Sequence, residues 1–242
     1  MQIQTRQGPA YGVARLTLAP QEAVKVESGA MMTMSMGVTL ASKAEGGIMR
    51  SLKRAALGGE SFFVSTYTAP AQGGFVDVAA RLPGDIGSYD VQPGRALFVQ
   101  KGSWLANEAS INIDAKWGGF KNMFGGEGGF IIRAEGQGQL VFGCYGALEV
   151  WNLEAGQGIT VDTGHMVAYE DSIQMTIRKA SGGGLVQSFK SGEGLVFDFV
   201  GPGKVWTQTR NPSELQSWIM SFIPSSGGGG VNIGGFSLGG RD

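Results

Sequence analysis

One cysteine and one histidine in 242 residues remove much of the usual chemistry at the outset. Cys144 is the only thiol, so no intrachain disulfide forms, which suits a reducing compartment. With His165 as the single imidazole, a zinc site of the usual nitrogen-and-sulfur kind is not expected. No Asp-rich loop has EF-hand spacing either, and no cofactor is expected. Charge is scarce as well: 16% of residues are charged, 19 Lys and Arg against 20 Asp and Glu, with a pI near 5.9. That balance is a poor footprint for gripping many phosphates, although a local basic face stays open. No apolar run approaches the ~20 residues that span a bilayer. The opening Met1-Gln2-Ile3-Gln4-Thr5-Arg6 lacks the apolar stretch of a signal peptide. The expected location is the cytoplasm.

Glycine is abundant, at 42 residues, and does not recur every third position, which excludes collagen. Between the glycines lie short alternating runs such as Val13-Ala14-Arg15-Leu16-Thr17-Leu18 and β-branched, aromatic runs such as Phe62-Phe63-Val64-Ser65-Thr66-Tyr67-Thr68. Both patterns suit half-buried strands. Only 48–57 and 211–222 argue for helix. An all-β body is predicted.

The runs repeat. Laid 62 residues apart, 84–113 matches the chain at Gly84/Gly146, Gly94/Gly156, Val99/Val161, Gly102/Gly164, Ala106/Ala168, Glu108/Glu170, Ser110/Ser172 and Ile111/Ile173. Chance in a glycine-rich chain would give about two or three identities over that window. A further copy lies 73 residues upstream, with Pro20 on Pro93, Gly29 on Gly102 and Lys43 on Lys116. Apolar positions keep step there, as in Leu16/Tyr89/Trp151 and Val26/Val99/Val161. Three tandem, β-sandwich-like units follow, roughly 10–80, 81–143 and 144–209. Each is too small to be very stable alone, so a pseudo-threefold arrangement within one compact body, 1–222, is expected.

At the end of the body, Asn211-Pro212-Ser213-Glu214 reads as a helix start, with Leu215, Trp218, Ile219 and Phe222 on one face and Pro224 as the stop. The Gly/Ser-rich stretch 223–242 reads as a flexible tail.

Catalytic constellations are sparse. Asp162 could orient His165 as a base, but its counterparts in the other units are Ser103 and Ala30, which favours a turn role. The glycine-rich stretches lack the phosphate-loop pattern and its strand-to-helix context. Glu108 and Glu170 recur, which suits anchoring of turns by backbone hydrogen bonds.

A different signal recurs between the halves of each unit. Gly46-Gly47 precede Ile48, Arg50, Leu52, Lys53 and Arg54; Gly118-Gly119 precede Phe120, Met123 and Phe124; Gly183-Gly184 precede Leu185, Val186 and Phe189. These apolar excursions with basic residues form a candidate interaction rim. Three uses remain open: capping the β-core, self-association, or contact with a membrane surface.

Ser28-Gly29-Ala30-Met31, Leu52-Lys53-Arg54 ahead of Gly59-Glu60-Ser61-Phe62-Phe63, Val161-Asp162-Thr163-Gly164-His165 and Gly201-Pro202-Gly203-Lys204-Val205-Trp206-Thr207-Gln208-Thr209-Arg210 together resemble one family over about residues 1–222. It is the prokaryotic family of unassigned function related to the fungal "altered inheritance of mitochondria" protein 24. The resemblance implies a repeated β-sandwich like that of the tryptophan RNA-binding attenuation protein, and no established enzymatic activity. It also implies a link to inner-membrane organisation in mitochondrial relatives. The expectation is therefore a non-enzymatic, homo-oligomeric scaffold, with peripheral membrane contact as an option. A module that binds RNA or a small ligand is the alternative.

Overall fold

The computed structural model describes residues 1–41, 64–114, 131–180 and 194–223, together with two short strands further on. They fall into two compact units, Met1–Arg210 and Asn211–Asp242. The first is all-β.

Its strands are β1 (Gln2–Arg6), β2 (Val13–Leu18), β3 (Ala23–Glu27), β4 (Met31–Met34), β5 (Thr39–Ala41), β6 (Val64–Thr68) and β7 (Gly74–Ala79). The chain continues through β8 (Ile86–Val91), β9 (Leu97–Gln100), β10 (Trp104–Glu108), β11 (Asn112–Asp114), β12 (Ile131–Glu135) and β13 (Gly138–Gly143). It ends with β14 (Leu148–Leu153), β15 (Gly158–Asp162), β16 (Met166–Glu170), β17 (Gln174–Lys179), β18 (Leu195–Val200) and β19 (Gly203–Gln208). Alternation decides which faces are buried. In β2, Ala14, Leu16 and Leu18 point into a core while Val13, Arg15 and Thr17 do not.

Among the described residues of this unit four sheets result, in the orders β1-β2-β7-β4, β5-β6-β3-β10-β13-β8, β11-β12-β9-β16-β19-β14 and β15-β18-β17. Within each of the segments β2–β7, β8–β13 and β14–β19, the first strand pairs with the sixth and the sixth with the third. The fourth pairs with the fifth and the fifth with the second. The six-stranded sheets arise where the second strand of one segment meets the third strand of the next. At β3–β10 the register sets Val26 opposite Ala106, Lys25 opposite Asn107 and Val24 opposite Glu108. At β9–β16 it sets Val99 opposite Ala168, Phe98 opposite Tyr169 and Leu97 opposite Glu170.

Backbone detail recurs with the pairing. All three third strands shift register two residues from their start, between Met31 and Thr33, Trp104 and Ala106, and Met166 and Ala168. The turn between first and second strands is left-handed at Gly94 (φ 77°) and Gly156 (φ 81°), and also at Gln21 (φ 61°), where a side chain tolerates what glycine adopts freely.

Three apolar cores lie between the sheets, and neighbouring segments share them. Leu16, Val24, Val76 and Val78 gather with Leu105 and Val141 of the second segment. Leu97, Trp104 and Phe142 gather with Val167, Ala168 and Trp206 of the third. Tyr169, Phe197 and Phe199 gather with Phe98 and Ile131 of the second. Each fully buried large apolar side chain contributes roughly 1.5–3 kcal/mol by leaving water.

The second unit holds α1 (Pro212–Met220) and the two-residue strands β20 (Asn232–Ile233) and β21 (Phe236–Ser237). The helix starts as its sequence predicts: Asn211 accepts from Ser213 N at 2.9 Å and Pro212 follows in the first turn. Trp218, Ile219, Met220 and Phe222 are exposed, with Trp218 and Phe222 edge-to-face at 5.0 Å. The other predicted helix, 48–57, and most of the 223–242 stretch lie outside the described residues.

Candidate interaction surface

Two sheet edges differ from their counterparts in the rest of the molecule. Among the described residues, β4 is hydrogen-bonded to β7 on one side only, and β15 to β18 on one side only. Their counterparts β10, β16, β3 and β9 are paired on both sides. Side-chain exposure follows. Met32 is 50% exposed where the matching Leu105 and Val167 are 1% and 0%; Met34 is 40% exposed where Asn107 and Tyr169 are 0% and 2%. Separately from these edges, Trp151 on β14 is 43% exposed, where the matching Tyr89 is half-buried and Leu16 is buried. Sheet edges are ordinarily blunted by charge or proline. β4 (Met31-Met32-Thr33-Met34) carries neither, and β15 (Gly158-Ile159-Thr160-Val161-Asp162) carries a charge only at its last residue. By contrast β17, on the far edge of the same sheet as β15, carries Arg178 and Lys179.

Beside β4 sits the most heavily bonded carboxylate among the described residues. Asp77 on β7 accepts from Nε and Nη2 of Arg15 at 2.8 Å each, from Arg6 Nη2 at 2.9 Å and from Thr33 Oγ1 at 2.8 Å. Arg15 also lies over the Phe75 ring, 3.9 Å from its centre. The Arg15 guanidinium, aided by Thr33 and Arg6, holds the Asp77 carboxyl below the usual carboxylate range. A depressed folded-state pKa means stability that is present above the unfolded value, near 4, and is lost as pH falls through the lower folded value. Asp77→Asn is therefore expected to melt earlier than the wild type at neutral pH, by about 2–4 kcal/mol, because two guanidinium groups lose their charge partner. It should also flatten the acid limb of the stability curve. Denaturant melts from pH 2 to 7 would show both effects; a parallel offset at every pH would disprove the linkage.

The chemically active candidates are tied into turns. His165 Nδ1–H donates to the Gln208 carbonyl at 2.7 Å. The side chain of Gln208 donates to the Gly164 carbonyl and accepts from Tyr145 N, each at 2.8 Å. The Asp162 carboxylate caps the turn at Gly164 N, 2.8 Å away. These bonds make His165 a brace between the third segment's turn and β19. Cys144 is buried, its thiol donates to the Gly146 carbonyl at 3.3 Å, and burial pushes its pKa up to about 11. A thiol so placed is protonated at neutral pH and a poor nucleophile. Glu170 accepts from Lys204 N at 2.9 Å and from the Tyr89 hydroxyl at 3.1 Å, so one acid anchors a turn and joins two segments. Burial and the nearby Glu170 push that phenol up to about 12. Among the described residues, no group of three or more His, Cys, Asp or Glu is placed to hold a metal. No described helix is long and apolar enough to cross a membrane.

The sequence-derived rim falls elsewhere. Ile48, Arg50, Leu52, Lys53 and Arg54, then Phe120, Met123 and Phe124, then Leu185, Val186 and Phe189 all lie outside the described residues. The structure fixes only their flanks: each group belongs to the connection between the fourth and fifth strands of its segment, after β5, β11 and β17. The residues missed by sequence reasoning are Met32, Met34 and Trp151. A signal was available, because Met31–Met34 align with the interior strand Trp104–Asn107. Periodicity says which face a residue takes, however, and not whether a neighbouring strand lies beside it.

The structure thus defines an all-β protein whose sheets are built from successive chain segments. The chain belongs to the mitochondrial biogenesis AIM24 family, whose profile matches residues 3–210. An uncharacterised protein of Streptococcus pyogenes serotype M6 is 26% identical over 224 residues, covering 89% of this chain and 88% of its own length. The X-ray crystal structure of a Streptococcus pyogenes protein superposes with a TM-score of 0.76 at 23% identity, over 92% of this chain and 99% of that one. That likeness establishes the fold.

Proposed function

We propose that this protein is a non-enzymatic scaffold that works as a homo-oligomer in the cytoplasm, built from three structural repeats that correspond to the three strand segments. The observation behind this reading is the pair of open edges, β4 and β15, at positions that elsewhere in the molecule are interior. An unpaired strand edge is a template for another chain, and apolar side chains such as Met32 and Trp151 gain by leaving water. Methionine suits such a contact because its flexible thioether adapts to the opposing surface. Peripheral membrane contact through the basic, apolar rim is a compatible extension. Light scattering or native mass spectrometry at micromolar concentration tests the scaffold. A discrete oligomer is expected, and a strict monomer would sink the reading. The alternative, an RNA- or small-ligand-binding module, rests on the resemblance to the attenuation-protein fold; strongly salt-dependent RNA association would favour it.

A further inference from the structure

Building on that self-association reading, we infer that the assembly is head-to-tail: β15 of one copy pairs antiparallel with β4 of the next, and the joint copies the two joints already present inside the chain. Three observations converge on it.

The first is the sheet plan. Each internal sheet joins the fourth, fifth and second strands of one segment to the third, sixth and first strands of the next. The terminal sheets are the two halves of that plan. β17-β18-β15 ends on a second strand, and β4-β7-β2 ends on a third strand, with β1 added beyond. Joined, they make the continuous order β17-β18-β15-β4-β7-β2-β1, which is the internal plan extended by β1.

The second is register. Thr33 of β4 occupies the position of Ala106 and Ala168, immediately after the same shift in register. Val161 of β15 occupies the position of Val26 and Val99, the residues opposite those alanines. The joint therefore sets Val161 opposite Thr33, Thr160 opposite Met34 and Ile159 opposite Ser35 of the next copy.

The third is what the joint would cover. Inside the chain, Tyr89 of one segment packs edge-to-face on Trp206 of the next, at 5.6 Å, and donates to Glu170 there. Trp151 is the matching residue of the last segment, and the next segment in the series would be the first segment of another copy. Met32 and Met34, exposed here, match residues that the internal joints bury.

The two edges are different surfaces, so the contact is heterologous. A two-fold dimer cannot satisfy both; the association closes into a ring or extends as a filament.

Cysteine pairing tests the joint directly, because Cys144 is buried and the other positions are surface strand residues. The variants are Met34→Cys and Thr160→Cys, singly and combined in the full-length chain. Under mild oxidation the combined variant should give a ladder of covalent multimers on a non-reducing gel. An equal mixture of the single variants should stop at covalent dimers, and each single variant alone should give none. Replacing Thr160→Cys by Asp162→Cys, two residues along the strand, should lower the yield about tenfold or more, because diagonal partners lie too far apart. A disulfide confined to single chains would overturn the inference in favour of closure within one molecule. Self-linking of Met34→Cys alone would overturn it in favour of a two-fold edge contact. An oligomer by light scattering with no linkage in any variant would refute this joint and leave the scaffold reading standing, whereas a strict monomer would refute both.

Discussion

Gly84→Ala is expected to lose at least about 3 kcal/mol of stability, far more than an ordinary glycine-to-alanine change. The added methyl would fall onto the carbonyl oxygen of Cys144, with the same carbonyl carbon at 2.8 Å and Gly146 N at 2.9 Å. All three atoms are backbone, so no side chain can swing aside. They also belong to a tight strip of main chain between segments. Gly84 bridges Gly146 in parallel; Gly146 N donates to Pro83 O at 2.9 Å, Asp85 N to Gly146 O at 3.0 Å and Gly12 N to Gly84 O at 2.8 Å. Relieving the clash means parting strands that three segments share. For a chain of this size the change corresponds to a melting temperature lower by roughly 6–12 °C. Gly102→Ala is the control, since a methyl there meets nothing within 4 Å. Thermal melts of the two variants should diverge sharply, and a wild-type melt for Gly84→Ala would show that this strip is not closely packed in solution.

Trp206→Ala should be comparably damaging, at about 3–5 kcal/mol, and should act between segments. Trp206 is carried by β19 of the third segment but is buried in the core of the second, edge-to-face with Tyr89 at 5.6 Å and Phe142 at 5.8 Å. Truncation leaves a cavity lined by two segments, so amide exchange should accelerate in β9 and β13 as well as in β19. Trp206→Phe, which keeps a ring in place, should recover more than half of the loss. Acceleration confined to β19 would mean that the core is not shared.

Much of this architecture was readable in advance, for physical reasons. Strands such as Val13–Leu18 declare themselves because one face is wet and the other dry. Helix α1 was marked by Asn211 and Pro212, whose side chains do local work that needs no tertiary context. Apolar positions at matched spacing, such as Val26, Val99 and Val161, fall in strands that hold the same place in the pairing order. Tertiary pairing was hidden. Nothing local distinguishes β10, which lies between β3 and β13, from β4, which has a described neighbour on one side only. The exposure of Met34 beside the burial of Asn107 runs against hydropathy; Asn107 lies between two strands with its amide bonded to Trp104, Glu108 and Ile111, whereas Met34 has a described strand on one side only. The Asp77 cluster was equally invisible, because Arg6, Arg15, Thr33 and Asp77 come together from four different strands.

The crossing of strands between segments has a consequence for how the molecule comes apart. The second strand of the first and of the second segment is a structural member of the following one's sheet, as β3 beside β10 and β9 beside β16 show. Excising residues 81–143 would not remove a module; it would strip β3 and β16 of a neighbour and open the cores on both sides. The body of this chain is therefore expected to unfold as one cooperative transition, because each core draws its side chains from neighbouring segments.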